Sequence, residues 1–253
     1  MAAAVSPVAL VTGASRGIGR ATAQKLAARG LRVAVHYHRN EAAARESLGT
    51  LAGAGHALFQ ADLADTPACV ALMKAVQKKF GRLDVLVNNA GIYEEHDPNA
   101  VGFAEWGKTW QRTLAANLTG PAHLAYLAAR QMKPRGTGRI INITSRGAFR
   151  GEPTAPAYGA AKAGLNSFGQ SLAKSLAPEK IYVFTIAPGW VDTDMAAPSL
   201  GGPARAEILA QHPLGRVATP EEVAGTVAWL ATDAPASLTG CIIDLNGASY
   251  LRT

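Results

Sequence analysis

The 253-residue chain has little of what marks several large classes of protein. Its two cysteines, Cys69 and Cys241, are far apart and in no metal-ligand spacing, which excludes a disulfide framework or a zinc site and suits a reducing, cytoplasmic setting. No apolar run reaches the roughly 20 residues that cross a bilayer, so no membrane span is expected. Met1-Ala2-Ala3-Ala4-Val5-Ser6-Pro7 has no basic region ahead of its apolar residues and does not read as a signal peptide. Only 17% of residues are charged against 48% hydrophobic, which excludes disorder and points to a compact globular protein. The net charge of +7 comes from scattered basic residues, with short pairs such as Lys78-Lys79 and no basic stripe interleaved with aromatics. A nucleic-acid partner is therefore not expected, and an anionic cofactor or substrate is the simpler use of a modest positive field.

What the chain does have is alternation. Short β-branched runs at residues 8–11, 31–35, 56–61, 83–87, 140–145, 181–186 and 241–245 read as strands. Helical periods lie between them, after residue 17 and at about 41–54, 66–80, 106–132, 158–176 and 221–230. The last helix carries Thr219 as N-cap and Pro220 at its first position. Such alternation predicts right-handed βαβ crossovers and a parallel sheet with helices on both faces. Residues 92–104 read as a polar loop with an acidic run Glu94-Glu95-His96-Asp97, and residues 190–216 lack a clean period and are long enough for a lid. No linker divides the chain, so 1–253 is expected to be one domain.

The chemistry sits at the strand ends. After the first strand comes Thr12-Gly13-Ala14-Ser15-Arg16-Gly17-Ile18-Gly19, where glycines permit a tight turn and the following helix N-terminus favours a pyrophosphate. It is not a P-loop, because no Gly-Lys-Ser/Thr follows. Past the second strand, a carboxylate suits free ribose hydroxyls and a basic residue suits a 2′-phosphate. The sequence there is His36-Tyr37-His38-Arg39-Asn40, and with Arg16 nearby it favours NADP(H). The histidines have no third partner for a metal and read as solvated strand-end residues. Farther on, Tyr158 and Lys162 stand four apart on one helix, one turn from each other on one face. An ammonium so close would lower the tyrosine from its usual value of about 10 toward neutrality, as acid-base work requires. Ser145 ends the fifth apolar run and supplies a hydroxyl for a carbonyl oxygen. Asn117, inside a long helix, either finds buried partners or lies on a solvated face.

Taken together, Thr12-Gly13-x-x-x-Gly17-x-Gly19, Asp62, Asn88-Asn89-Ala90-Gly91, Asn117, Ser145, Tyr158-x-x-x-Lys162 and Pro188-Gly189 resemble the short-chain dehydrogenase/reductase family over essentially the whole chain. The resemblance implies a doubly wound Rossmann fold, α/β with a seven-stranded parallel sheet, and a catalytic set of Asn117, Ser145, Tyr158 and Lys162. The cofactor residues it implies are Gly13, Ser15, Arg16, Gly17, Ile18, Gly19, His38, Arg39, Asn40, Asp62, Leu63, Asn89, Ala90, Gly91, Tyr158, Lys162, Pro188, Gly189, Val191 and Thr193. Within the family the chain is similar to 3-oxoacyl-acyl-carrier-protein reductases, which implies a carbonyl or alcohol substrate, a carrier-protein thioester among the candidates, and a homotetramer. Trp229, Tyr250 and Leu251 would be buried in that assembly. His36-Tyr37-His38-Arg39 also resembles the pteridine reductases, which typically have Asp where Ser145 stands. Sugar and steroid reductases of the family, and a non-catalytic NADP(H)-binding regulator, are the other readings. Ser145, Arg146, Phe149, Trp190, the Glu94 loop and the lid are expected to line the substrate pocket.

Overall fold

The computed structural model describes residues 6–252; residues 1–5, on which most of the signal-peptide reading falls, and Thr253 lie outside the described residues. The strands β1 (Val8–Val11), β2 (Arg32–Tyr37), β3 (Ala57–Gln60), β4 (Val85–Asn88), β5 (Gly138–Ile143), β6 (Ile181–Pro188) and β7 (Ile242–Leu245) are the seven elements of the sheet. They pair in parallel in the order β3-β2-β1-β4-β5-β6-β7. The helices are α1 (Gly17–Ala28), α2 (Glu41–Gly49), α3 (Thr66–Phe80), α4 (Phe103–Leu114), α5 (Gly120–Met132), α6 (Gly147–Arg150), α7 (Pro156–Leu176), α8 (Ala197–Leu200), α9 (Arg205–Ala210) and α10 (Pro220–Thr232). This is the parallel sheet with helices on both faces that the alternation of strands and helices predicts, in the doubly wound Rossmann-type α/β form that the family resemblance implies.

Strands covered on both faces have no polar side to show, which is why they read as unbroken apolar runs. In β1, Ala9 and Val11 join one buried cluster with Leu26 of α1 and Val223 and Val227 of α10. Val8 and Leu10 join the opposite cluster with Leu72 and Val76 of α3, Leu124 and Met132 of α5, and Ala173 of α7. The chain adds β2 and β3 on one side of β1, then crosses to place β4 on the other. The crevice beyond the carboxyl ends of β1 and β4 is where such a sheet binds ligands. Helix ends are fixed locally as well: the Thr219 hydroxyl accepts the Glu222 N–H and the Glu222 carboxylate accepts the Thr219 N–H, a complete capping box.

Three expectations are corrected. Residues 106–132 are not one regular helix: α4 and α5 are joined by a π-helical turn, Ala115–Thr119, where the Gly120 N–H reaches back to the Ala115 carbonyl. The cause is Asn117, whose amide is drawn inward onto the Ile92 peptide, donating to its carbonyl and accepting its N–H at 2.8 Å each. The second helix stops at Gly49 rather than near residue 54, because Leu51 turns inward while the glycines at 53 and 55 take positive φ. The segment 190–216 carries α8 and α9, whose Leu200 and Ile208 close on Ala196 and Trp190 in a small cluster of their own. So small an apolar cluster leaves no visible period in the sequence.

Candidate active site

The turn after β1 is braced from two strands. Gly13 and Gly17 have φ of 63° and 51°, the left-handed region that only glycine enters without strain. The Thr12 hydroxyl donates to the Val87 carbonyl and accepts the N–H groups of Asn89 and Ala90 at 2.9 and 3.0 Å. Asn89 returns its side-chain amide to the carbonyls of Thr12 and Gly13. From the other side, the buried Ser47 of α2 donates to the Ala14 carbonyl at 2.8 Å. Ser15 and Ile18 are partly exposed and Arg16 is exposed, at the start of α1, whose first N–H groups have no intrahelical acceptor. Arg16 faces the lid, 3.5 Å from Asp194, and a side chain at Gly17 would meet Thr193.

Strand β2 runs two residues farther than the sequence suggests, which changes the status of one histidine. His36 is 1% exposed, not solvated; Nδ1 accepts the Gly13 N–H at 3.1 Å and Nε2 faces the Ala61 carbonyl at 3.1 Å. Burial lowers its pKa from 6.5 to about 4; the Ala61 hydrogen bond and Asp62 act upward, and His38 acts downward. The unfolded chain thus binds more protons between those values, so stability should fall as pH drops from about 6.5 to about 4, by about 3 kcal/mol in all. Urea titrations at pH 7.5, 6 and 4.5 on wild type and His36→Asn check this: the variant should lose most of that slope. His38, Arg39 and Asn40 follow on the surface. His38 Nε2 lies 3.5 Å from Asp62, and Asn40 caps α2 through its side-chain oxygen. Arg39 makes no ion pair among the described residues. Leu63 is buried behind Asp62, and its carbonyl lies where a side chain on Gly120 would be.

The catalytic candidates come from four elements. Ser145 follows β5, Asn117 sits in the π turn, and Tyr158 and Lys162 share the inner face of α7. Asn117 and Lys162 meet at Gly91, where a side chain would come within 3.1 Å of Asn117 Oδ1 and 3.4 Å of Lys162 Nζ. Lys162, 4% exposed, donates to the Ile143 carbonyl at 3.0 Å, and its Nζ lies 5.7 Å from the Tyr158 ring centre. Burial lowers the ammonium to about 8. The phenol does not move toward neutrality as its spacing from Lys162 suggests. Burial pushes Tyr158 up to about 12, the hydrogen bond with Ser145 opposes this, and Glu152 and Tyr93 add to it. Desolvation of a phenolate outweighs one ammonium that is engaged with a backbone carbonyl. The Ser145 hydroxyl oxygen also accepts the Gly147 N–H at 3.0 Å.

Several residues at the mouth have no signal in the sequence. Tyr93 stands edge-on to Tyr158, ring centres 5.1 Å apart, and Glu152 is a half-buried carboxyl packed where Gly147 lacks a side chain. Of the expected pocket residues, Arg146 is buried and donates to Ser249 at 2.7 Å and to Gln211 at 3.1 Å. Phe149 lies beneath Arg252 and Trp190 packs into the lid, so both are engaged with the protein. Pro188 ends β6, Gly189 fits against Asn246, and Val191 bridges to Ala218 beside Thr193.

A sheet of this order, with a braced glycine turn at its crossover and a serine, a tyrosine and a lysine gathered beside it, defines an oxidoreductase of the doubly wound α/β class. Comparison with known proteins narrows the class. A family model described as enoyl-(acyl carrier protein) reductase matches residues 13–247. The chain is 41% identical to a 3-oxoacyl-[acyl-carrier-protein] reductase of Synechocystis, over 99% of this chain and 100% of the relative. It is 40% identical to cis-4-hydroxycyclohexanecarboxylate dehydrogenase of Sinomonas cyclohexanicum, over 95% of each. Among solved structures, a variant of actinorhodin polyketide ketoreductase with NADPH superposes with a TM-score of 0.88 at 36% identity, covering 97% of this chain and 98% of that one. The chain belongs to the short-chain dehydrogenase/reductase family. No helix among the described residues is long and apolar enough to cross a membrane.

Proposed function

We propose that the protein is an NADP(H)-dependent carbonyl reductase in which Tyr158 is the proton donor. The observation that carries this reading is that Tyr158 lies between Ser145 and the buried Lys162, whose Nζ meets Asn117 Oδ1 at the bare Cα of Gly91. The donor set suits a phosphorylated dinucleotide: a glycine turn at a helix N-terminus, then His38 and Arg39 where a ribose-binding carboxylate would otherwise stand. Gly13, Ser15, Arg16, Gly17, Ile18 and Gly19 would hold the pyrophosphate, and His38, Arg39 and Asn40 the 2′-phosphate. Asp62 and Leu63 would hold the adenine, Asn89, Ala90 and Gly91 the ribose side, and Pro188, Gly189, Val191 and Thr193 the nicotinamide. NADPH of the related ketoreductase is consistent with this choice. When bound, the cofactor supplies a hydride to the carbonyl carbon.

The residues of the chain do the rest. The Ser145 hydroxyl donates to the substrate oxygen and fixes it beside Tyr158. Tyr158, neutral at physiological pH, gives that oxygen its proton, so no full charge develops there. Lys162 holds the nicotinamide ribose and stabilises the phenolate left behind, while Asn117 keeps the Gly91-Ile92 backbone open beside the ammonium. Residues 190–216 act as the lid, within one domain spanning the chain. A 3-oxoacyl thioester, carrier-protein-linked or free, stands first among the substrates in this reading, supported by the similarity to the Synechocystis reductase. A cytoplasmic homotetramer, with no nucleic-acid or membrane partner, completes the reading.

The test is NADPH oxidation, with NADH as control, against acetoacetyl thioesters, simple ketones, sugars, steroids and a pterin. Turnover of the thioester supports the reading in full. Activity confined to a pterin, sugar or steroid keeps the mechanism and moves the substrate. Tight NADPH binding with no turnover on any of them identifies a non-catalytic binding protein instead. Arg39→Asp separately tests the phosphate contact: the preference for NADPH over NADH should fall roughly 10- to 100-fold, the range for one charge-assisted hydrogen bond. An unchanged preference removes Arg39 from the site.

A further inference from the structure

Among the described residues, His36 is the one buried ionisable side chain bonded to the glycine turn, and the bonds it makes are not those of a filler in a strand. Its ring nitrogens face two different segments. Nδ1 takes the N–H of Gly13, the first glycine of the turn, and Nε2 lies 3.1 Å from the carbonyl of Ala61. Ala61 immediately precedes Asp62 and Leu63. The His36 backbone adds to this, its carbonyl accepting the Ala14 N–H at 2.8 Å. One residue therefore grips two consecutive peptides of the turn and the last peptide before the Asp62 segment.

A neutral imidazole has one donor and one acceptor, and the two neighbours dictate which is which. An N–H at Gly13 demands a bare Nδ1, and a carbonyl at Ala61 demands a protonated Nε2. No other tautomer satisfies both, and the cation would set a second N–H against that of Gly13. The charged and titratable groups nearby are His38, which opposes protonation, and Asp62, which favours it. An apolar side chain here would leave the Gly13 N–H without its acceptor inside the protein, at a point where φ is already 63°.

We propose that His36 is a positioning residue for cofactor binding, its Nε2–H tautomer setting the glycine turn and the Asp62 segment at the separation that the adenosine part of the dinucleotide requires. The proposal rests on reading the glycine turn as the dinucleotide site. It predicts an order among substitutions that stability alone would not produce. The Asn side-chain oxygen falls near the place of Nδ1 and can accept from Gly13, whereas the Gln amide reaches toward the place of Nε2 and serves Ala61 instead. His36→Leu and His36→Gln should raise the Kd for NADP+ roughly tenfold, the cost of one buried hydrogen bond, while His36→Asn stays within about threefold of wild type. At saturating cofactor, kcat should stay within about twofold in all three, since the bond acts before the chemistry.

The experiment is titration calorimetry with NADP+ on wild type and the three variants, with thermal melts alongside, and imidazole nitrogen NMR on the wild-type protein. Nitrogen shifts of a bare Nδ1 and a protonated Nε2, with the order Asn tighter than Gln and Leu, support the proposal. A wild type that binds NADP+ while all three variants bind equally well, or while affinity follows melting temperature alone, overturns it and leaves the site intact. An Nδ1-protonated ring overturns it without any variant. Failure of the wild type to bind any dinucleotide would remove the site reading and the proposal with it.

Discussion

Tyr158→Phe is expected to lower kcat about 1000-fold, roughly 4 kcal/mol of barrier, while leaving NADPH affinity within about twofold of wild type. The ring that Tyr93 packs against is kept, and only the oxygen beside Ser145 is lost. The site then has a hydroxyl to hold the carbonyl oxygen but no group to protonate it. The direction of the phenol's shift makes a second expectation. Held at about 12 in the free protein, Tyr158 carries its proton throughout the neutral range, the state that carbonyl reduction consumes. Alcohol oxidation starts from the phenolate and should gain as pH rises, whereas reduction should not. Initial rates in both directions between pH 6 and 10, with binding followed by NADPH fluorescence, check both statements. Turnover in the variant above a tenth of wild type would exclude Tyr158 as the proton donor.

Gly19→Ala should be nearly as damaging, by packing rather than chemistry. A methyl at residue 19 would land on the Gly13 carbonyl oxygen and 2.6 Å from the Asn89 amide, the two groups that hold the turn to β4. Neither is the free end of a flexible side chain: one is backbone and the other is already bonded to Thr12 and Gly13. The turn must open, with a stability loss of about 2 to 3 kcal/mol from overpacking and a loss of cofactor affinity of roughly 100-fold or more, because donors to the pyrophosphate are displaced together. Thermal melts and NADP+ calorimetry read the two effects separately. A variant with wild-type affinity would show that the turn does not need to be closed for binding.

Much of this arrangement is visible in the sequence because it depends on near neighbours. The bounds of β1 and α3, the capped start of α10 and the one-turn spacing of Tyr158 and Lys162 follow from local periods and caps. What escapes is set by partners far along the chain. His36 reads as solvated because its burial depends on Gly13 and Ala61, and the inward turn of Asn117 depends on Ile92. Tyr158 is the sharpest case. The spacing to Lys162 gives the sign of one influence, but burial decides the result, and Glu152 and Tyr93 push the same way. Tyr93 and Glu152 sit in segments with no period at all, so only the folded chain reveals them.

The π turn at Ala115–Thr119 also limits how the gene can change. It holds one residue more than a regular helix would, and the wide turn absorbs that residue without changing the phase in which α5 begins. Deleting one residue from this stretch would let α4 and α5 fuse into an unbroken helix with α5 in nearly the same phase, since five residues of a π turn sweep about the same angle as four of an α-helix. Leu124, Ala128 and Met132 would keep their places against the sheet, but the Asn117 amide would lose its hold on the Ile92 peptide. The fold would survive the shorter chain; the site beside Gly91 would not.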